Sequence, residues 1–180
     1  MDKLLYLIAL APGEELRERA RELKLEMSRR FNASHALKAP AHITLQMPFR
    51  RDENAEPELC AQLENFSSAR SAFDVTVDGF DAFPPRVIFL KIIKHQPIKE
   101  LHAALNHHLE NQLHFTQKEL NDEIHPHMTI ATRDLSKKMF HKAWPEFRGR
   151  EFKASFTAES LHLLKHTGKH WEFFREFPFE

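Results

Sequence analysis

His42-Ile43-Thr44 and His127-Met128-Thr129 are two short copies of one pattern, 85 residues apart in a chain of 180. An imidazole takes up or releases a proton near neutral pH, its unperturbed pKa being ~6.5, and a hydroxyl donates a hydrogen bond to an anionic oxygen. Two of each around one small anion suit phosphate-ester chemistry. One imidazole would accept a proton from an attacking water, the other would protonate the departing oxygen, and the hydroxyls would hold the non-bridging oxygens as charge builds on them. On this reading His42 and His127 are the catalytic pair, and Thr44 and Thr129 bind phosphate; which histidine is acid and which is base depends on how the substrate lies, with His42 favoured as donor and His127 as acceptor.

Both copies lie in apolar, alternating stretches, AHITLQMPF and HPHMTIATRD, which read as β-strands. Side chains two apart on a strand share a face, so each His and Thr would present to one surface while Ile43, Leu45, Met128 and Ile130 face the core. The flanking elements repeat in order. In the first half, LLYLIAL reads as a strand, and Leu16, Ala20, Leu23 and Met27 mark one face of a helix. The first motif strand comes next, then a helix over Pro57 to Phe66 and a strand alternating at Phe73, Val75 and Val77. Pro84-Pro85 marks the joint. In the second half come VIFLKII, a helix opened by Pro97 with Ile98, Leu101, Leu105 and Leu109 on one face, and the second motif strand. A helix from Leu135 to Trp144, a strand from Glu151 to Phe156, and strands around Leu161 to Leu164 and Trp171 to Phe174 complete the chain. The expected fold class is α+β: one domain over 1–180, built as two similar lobes, roughly 1–83 and 84–180, with terminal strands able to exchange between them. A pseudo-two-fold axis would bring the motif strands together at a cleft.

Bulk composition narrows the partners. Basic and acidic residues balance at 26 each, which opposes a grip on long nucleic acid by phosphate neutralisation but leaves a nucleotide or strand end open. Cys60 is the only cysteine, excluding an internal disulfide and a cysteine-based zinc site. LLYLIAL is too short to span a membrane and Asp2 is a poor opening for a signal peptide, so the expectation is a cytoplasmic monomer with no membrane contact. The four glycines do not cluster, which removes the usual phosphate loops of ATP-driven enzymes. No cofactor and no metal are expected: His107-His108 diverge on a helix, His125 and His127 flank a proline, and no His-Glu-x-x-His pattern occurs.

Beyond AHITL and PHMTIA, the segment FDAFPPRVIFLKI and the apolar C-terminal strands ending in EFPF resemble the two-histidine phosphoesterase superfamily, including 2'-5' RNA ligase-like and RNA 2',3'-cyclic phosphodiesterase proteins. The resemblance covers nearly the whole chain. It implies a bilobal fold of antiparallel sheets flanked by helices around a central cleft, no required metal, and activity on a 2',3'-cyclic phosphate at an RNA end or on a small nucleotide, with ligation as the reverse direction. Many members carry an Arg five positions after the motif His, where this chain has Thr132, followed by Arg133. Further substrate-contact candidates are Arg133, the aromatics Tyr6, Phe49, Phe83 and Trp171, which could stack a base from strands or strand ends, and Arg86 beside the proline pair. His35, His95, His102, His141 and His162 are read as structural or surface groups. Two other classes stay open: a nucleotide-binding module without catalysis, which turnover of a cyclic nucleotide would exclude, and a metal-dependent hydrolase, which insensitivity to EDTA would exclude.

Overall fold

A computed structural model describes residues 2–180. Eight strands and four helices are arranged in the order β1 (Lys3–Leu10), α1 (Glu14–Phe31), β2 (Ile43–Asp52), α2 (Glu56–Ser67), β3 (Phe73–Phe83), β4 (Val87–Ile93), α3 (Gln96–Leu113), β5 (His127–Ala131), α4 (Lys137–Phe147), β6 (Lys153–Ala158), β7 (Ser160–His166) and β8 (Trp171–Pro178). A short 3-10 turn, His35–Lys38, leads into β2. The elements fall close to their sequence-based positions. The fourth helix starts later than expected because Ser136 caps it, accepting from the Met139 amide at 3.2 Å, and it runs on past Trp144 to Phe147.

The strands form two four-stranded antiparallel sheets, ordered β2-β1-β7-β8 and β5-β4-β3-β6. The sheets do not divide at the joint between chain halves: β3 from the first half pairs with β4 and β6, and β7 and β8 return to complete the sheet of β1. Both motif strands are therefore outer strands, and they pack against each other where the sheets meet.

Helices α1 and α3 show the duplication in detail. Each has 18 residues and turns its apolar stripe inward, burying Leu16, Ala20, Leu23 and Met27 in one and Ile98, Leu101, Leu105 and Leu109 in the other. Burying the leucine, isoleucine and methionine side chains contributes about 1.5–3 kcal/mol each, enough to seat a helix on its sheet. Both close in the same way. Asn32 and His114 adopt left-handed φ values of 56° and 55°, and the next residue's amide returns to a carbonyl six back, Ala33 to Met27 at 3.2 Å and Phe115 to Leu109 at 3.1 Å.

The motif strands share a further device. Between Ala9↔Thr44 and Ile8↔Gln46 one residue of β1 is matched by two of β2, and between Phe89↔Thr129 and Ile88↔Ala131 one residue of β4 is matched by two of β5. Leu45 and Ile130 are thus the extra residues of equivalent bulges, each just after a motif threonine. A bulge shifts the alternation by one and re-aims the side chains beyond it. Gln46 consequently comes beside Ile8 on the core side, buried and bonded through Nε2 to the Glu119 carbonyl at 2.8 Å, where simple alternation would have set it beside Thr44.

Candidate active site

The cleft between β2 and β5 contains a cavity of about 170 Å³. His42 and Thr44 from the first motif and Thr129 from the second line it, together with Thr132, Arg133 and Trp171. Leu7, Lys24, Met47, Pro48 and the turn residues His35, Ala36, Lys38 and Ala39 complete the wall. Three of the four motif side chains thus share one cavity; His127, two residues before Thr129 on β5, is not among the lining residues.

The two imidazoles are held identically. Nδ1 of His42 lies 2.7 Å from the Pro40 carbonyl and Nδ1 of His127 lies 2.6 Å from the His125 carbonyl, in each case two residues upstream. A carbonyl only accepts, so Nδ1 carries the proton in both rings and Nε2 is the free, basic nitrogen. Burial pushes the His42 pKa down to about 4, the Pro40 carbonyl opposes this, and the Lys24 ammonium and His127 add to the depression. Burial also lowers His127, again against a carbonyl bond that favours its charged form, with the His125 ring adding to the lowering.

The pseudo-symmetry is broken beneath the hydroxyls. Thr44 stands beside Ala9 and Thr129 beside Phe89. The Phe89 and Phe83 rings pack 5.0 and 5.1 Å from the His127 ring and fill that side of the cleft. On the Ala9 side, Leu7, Ala9 and Leu164 form a small apolar cluster with Trp171 and Phe173, separate from the main core, and the cavity opens over it.

Of the remaining sequence-based candidates, Arg133 and Trp171 reach the cavity. Arg133 is exposed and holds a φ of 50°, a strained conformation for a residue with a Cβ. Its neighbour Asp134 crosses the cleft and accepts the amides of Ser34 at 2.9 Å and His35 at 3.1 Å. Phe83 is exposed at the rim beside His127. Tyr6 and Phe49 lie in the core and are set aside as ligand contacts: Tyr6 is fully buried, stacks on Phe49 at 5.9 Å and donates to Glu56 at 2.5 Å, because it shares the face of Ile8 and Leu10 rather than that of Leu7 and Ala9. Arg86 lies exposed in the turn closed by its amide on the Phe83 carbonyl at 3.0 Å and does not line the cavity.

Sequence reasoning missed Lys24 and placed His35 among structural groups. Lys24 is 4% exposed, donates through Nζ to the Ala39 carbonyl at 2.8 Å and has its pKa lowered to about 8 by burial and then by Arg21. The signal was available as a lysine between Leu23 and Met27 on an otherwise apolar stripe. His35 reaches the wall only because the 3-10 turn folds back over the cleft. Among the described residues, no group of three or more His, Cys, Asp or Glu is arranged to hold a metal ion. No described helix is long and apolar enough to cross a membrane.

Comparison with known proteins supplies the fold and the family. A protein of Geobacillus sp. (strain WCH70) named "Putative phosphoesterase" is 26% identical over 164 residues, covering 88% of this chain and 86% of the relative. One of the same name from Geobacillus thermodenitrificans is 27% identical over 161 residues, with the same coverage. Among solved structures, E. coli LigT complexed with 3'-AMP superposes with a TM-score of 0.70 at 16% identity, covering 99% of each chain. TT0787 of Thermus thermophilus gives 0.68 at 19% identity, covering 97% of each. These structures share the fold described above. Residues 12–170 match the family model of the 2'-5' RNA ligase superfamily, and with nearly the whole chain covered in this way the protein belongs to that superfamily of phosphoesterases.

Proposed function

We propose that this protein is a two-histidine phosphoesterase that opens a 2',3'-cyclic phosphate, on an RNA end or a small nucleotide, without needing a metal. The observation that carries the proposal is the pair of imidazoles fixed alike through Nδ1 on edge strands that meet, with motif threonines in the same cavity. Fixing Nδ1–H to a carbonyl selects the tautomer whose Nε2 can take or return a proton. Thr44 and Thr129 supply hydroxyl donors from opposite sheets, so an anion between them is held from two directions.

In the reaction one Nε2 accepts a proton from water as its oxygen bonds to phosphorus. The opposite imidazolium gives a proton to the ribose oxygen as the P–O bond breaks, leaving a phosphomonoester and a free hydroxyl. Both rings rest neutral before an anion binds, since both pKa values are depressed. Whichever ring serves as acid must gain its proton with the anion, whose charge reverses the penalty of burial. The assignment of His42 as donor carries this requirement in its strongest form, because the Lys24 ammonium also opposes its protonation. The same transfers with a hydroxyl of a second strand end in place of water join a 2',3'-cyclic end to that hydroxyl, which is the ligase-like reaction.

The test is hydrolysis of 2',3'-cyclic AMP by the purified protein with and without EDTA, followed by phosphorus NMR. We expect turnover that is indifferent to EDTA, and its loss in both His42→Ala and His127→Ala. Full activity in either variant, or dependence on a chelatable metal, overturns the proposal.

A further inference from the structure

Lys24 performs a task that a neutral side chain performs elsewhere in the same fold. From α1 it donates to the Ala39 carbonyl fifteen residues ahead, at 2.8 Å; from the corresponding place on α3, Asn106 donates through Nδ2 to the Asn121 carbonyl, also fifteen residues ahead, at 2.6 Å. A neutral amide therefore suffices to tie a helix to the loop before its motif strand. A buried ammonium with a single acceptor is costly unless something further compensates the charge. Lys24 has that burial and no second hydrogen-bond partner among the described residues.

A second cavity of about 240 Å³ lies beside the first, and Lys24, Lys38, Ala39 and Trp171 belong to the walls of both. Arg17 and Arg21 of α1 also line it, and Glu18 is the only carboxylate in its wall. This clustering stands out in a chain whose net charge is zero. Neither Arg21 nor Lys38 forms an ion pair among the described residues, so their charges are not spent on the fold.

We propose that the adjoining cavity is a second phosphate site, which takes a phosphate group of the substrate other than the reacting one. Lys24 supplies the deep contact at the shared wall, Arg21, Arg17 and Lys38 supply the outer ones, and Arg guanidinium groups suit bidentate phosphate recognition. The proposal rests on the first cavity holding the reacting phosphate. It makes the preferred substrate a cyclic phosphate that carries another phosphate, and two sources share that chemistry: the next phosphodiester of an RNA strand, or a pyrophosphate on a small nucleotide.

The test compares kcat/KM for adenosine 2',3'-cyclic phosphate with three relatives of it, bearing a 5'-phosphate, a 5'-linked second nucleoside, or a 5'-pyrophosphate. We expect a preference of roughly tenfold or more for the forms with added phosphate, equivalent to about 1.4 kcal/mol. The phosphodiester and pyrophosphate arms then identify the source. Arg21→Glu, at an exposed position, should collapse the preference ratio, and Lys24→Gln, which keeps a neutral donor for Ala39, should do the same with an unchanged melting temperature. Equal kcat/KM for all forms, or a ratio untouched by Arg21→Glu, overturns the proposal. Calorimetric binding of adenosine 3',5'-bisphosphate against adenosine 3'-phosphate needs no turnover. Tighter bisphosphate binding that Arg21→Glu abolishes would support the second site even in a protein that hydrolyses nothing, and equal binding would refute it.

Discussion

The carboxylate of Asp134 holds the backbone amide of His35 from across the cleft, with both oxygens 3.1 Å from the nitrogen. His35 opens the 3-10 turn whose residues form one wall of the cavity, so the first free amides of that turn are capped by a residue from the opposite side of the site. Asp134→Ala should release the turn, raising KM several-fold with a smaller effect on kcat, and should cost about 1.5–3 kcal/mol in stability, the usual range for a hydrogen bond to a charged group. Steady-state kinetics and urea denaturation of the same variant check both effects. Unchanged KM would show that the turn holds its place without the carboxylate.

Anion binding should be coupled to proton uptake. Both imidazoles rest neutral, and an anion between them stabilises the charged form. Sulfate, which carries no proton near neutrality, should therefore bind more tightly as pH falls from 8 to 6. Calorimetry in buffers of different ionisation enthalpy should register net uptake of up to about one proton per sulfate. Affinity independent of pH would contradict the neutral resting state.

Stability should decline on mild acidification, before the carboxylates protonate. The folded His42 is depressed to about 4, so as pH falls below ~6.5 the unfolded chain binds a proton that the folded one refuses, and stability is lost down to the folded value. His127, His102 and His162 are lowered by burial and act in the same direction. His42 alone contributes on the order of 2–3 kcal/mol between neutrality and pH 4. Urea midpoints measured from pH 7.5 to 5 should fall, and His42→Gln should flatten the decline.

Thr44→Val and Thr129→Val preserve β-branching and remove only the hydroxyl. Each should reduce kcat/KM for the cyclic phosphate by ~10²-fold, the scale for losing one fixed donor to a developing oxyanion. Circular dichroism melts should stay close to the parent, since both threonines are only partly buried at the cavity. A fall in one variant only would assign the phosphate to one sheet.

Local pattern carried much of this structure. The stripes Leu16-Ala20-Leu23-Met27 and Ile98-Leu101-Leu105-Leu109 determine two helices, and the strand character of both motifs comes from alternation over a few residues. The bulges at Leu45 and Ile130 left no such trace, because they are a property of register between strands and interrupt no hydrophobic run. Sheet membership was only partly legible: exchange of terminal strands between the lobes was expected, but that β3 leaves the sheet of β1 and β2 to pair with β4 and β6 is decided in part by contacts more than seventy residues apart. Tyr6 was misread because aromatic type drew attention from parity with Ile8 and Leu10. Lys24 was overlooked for the opposite reason, since a charge inside an apolar stripe looks like an interruption when it is a wall.

The contrast between Ala9 under one hydroxyl and Phe89 under the other has a wider meaning. A duplicated scaffold presents the same groups from either side of the cleft and so cannot by itself tell head from tail. One small residue and one large one make the palindrome directional, with open space over the cluster at Ala9 and an aromatic wall at Phe89. Exchanging that pair in size would reverse the polarity with which a ligand lies in the groove, while the chemistry at its centre stayed the same.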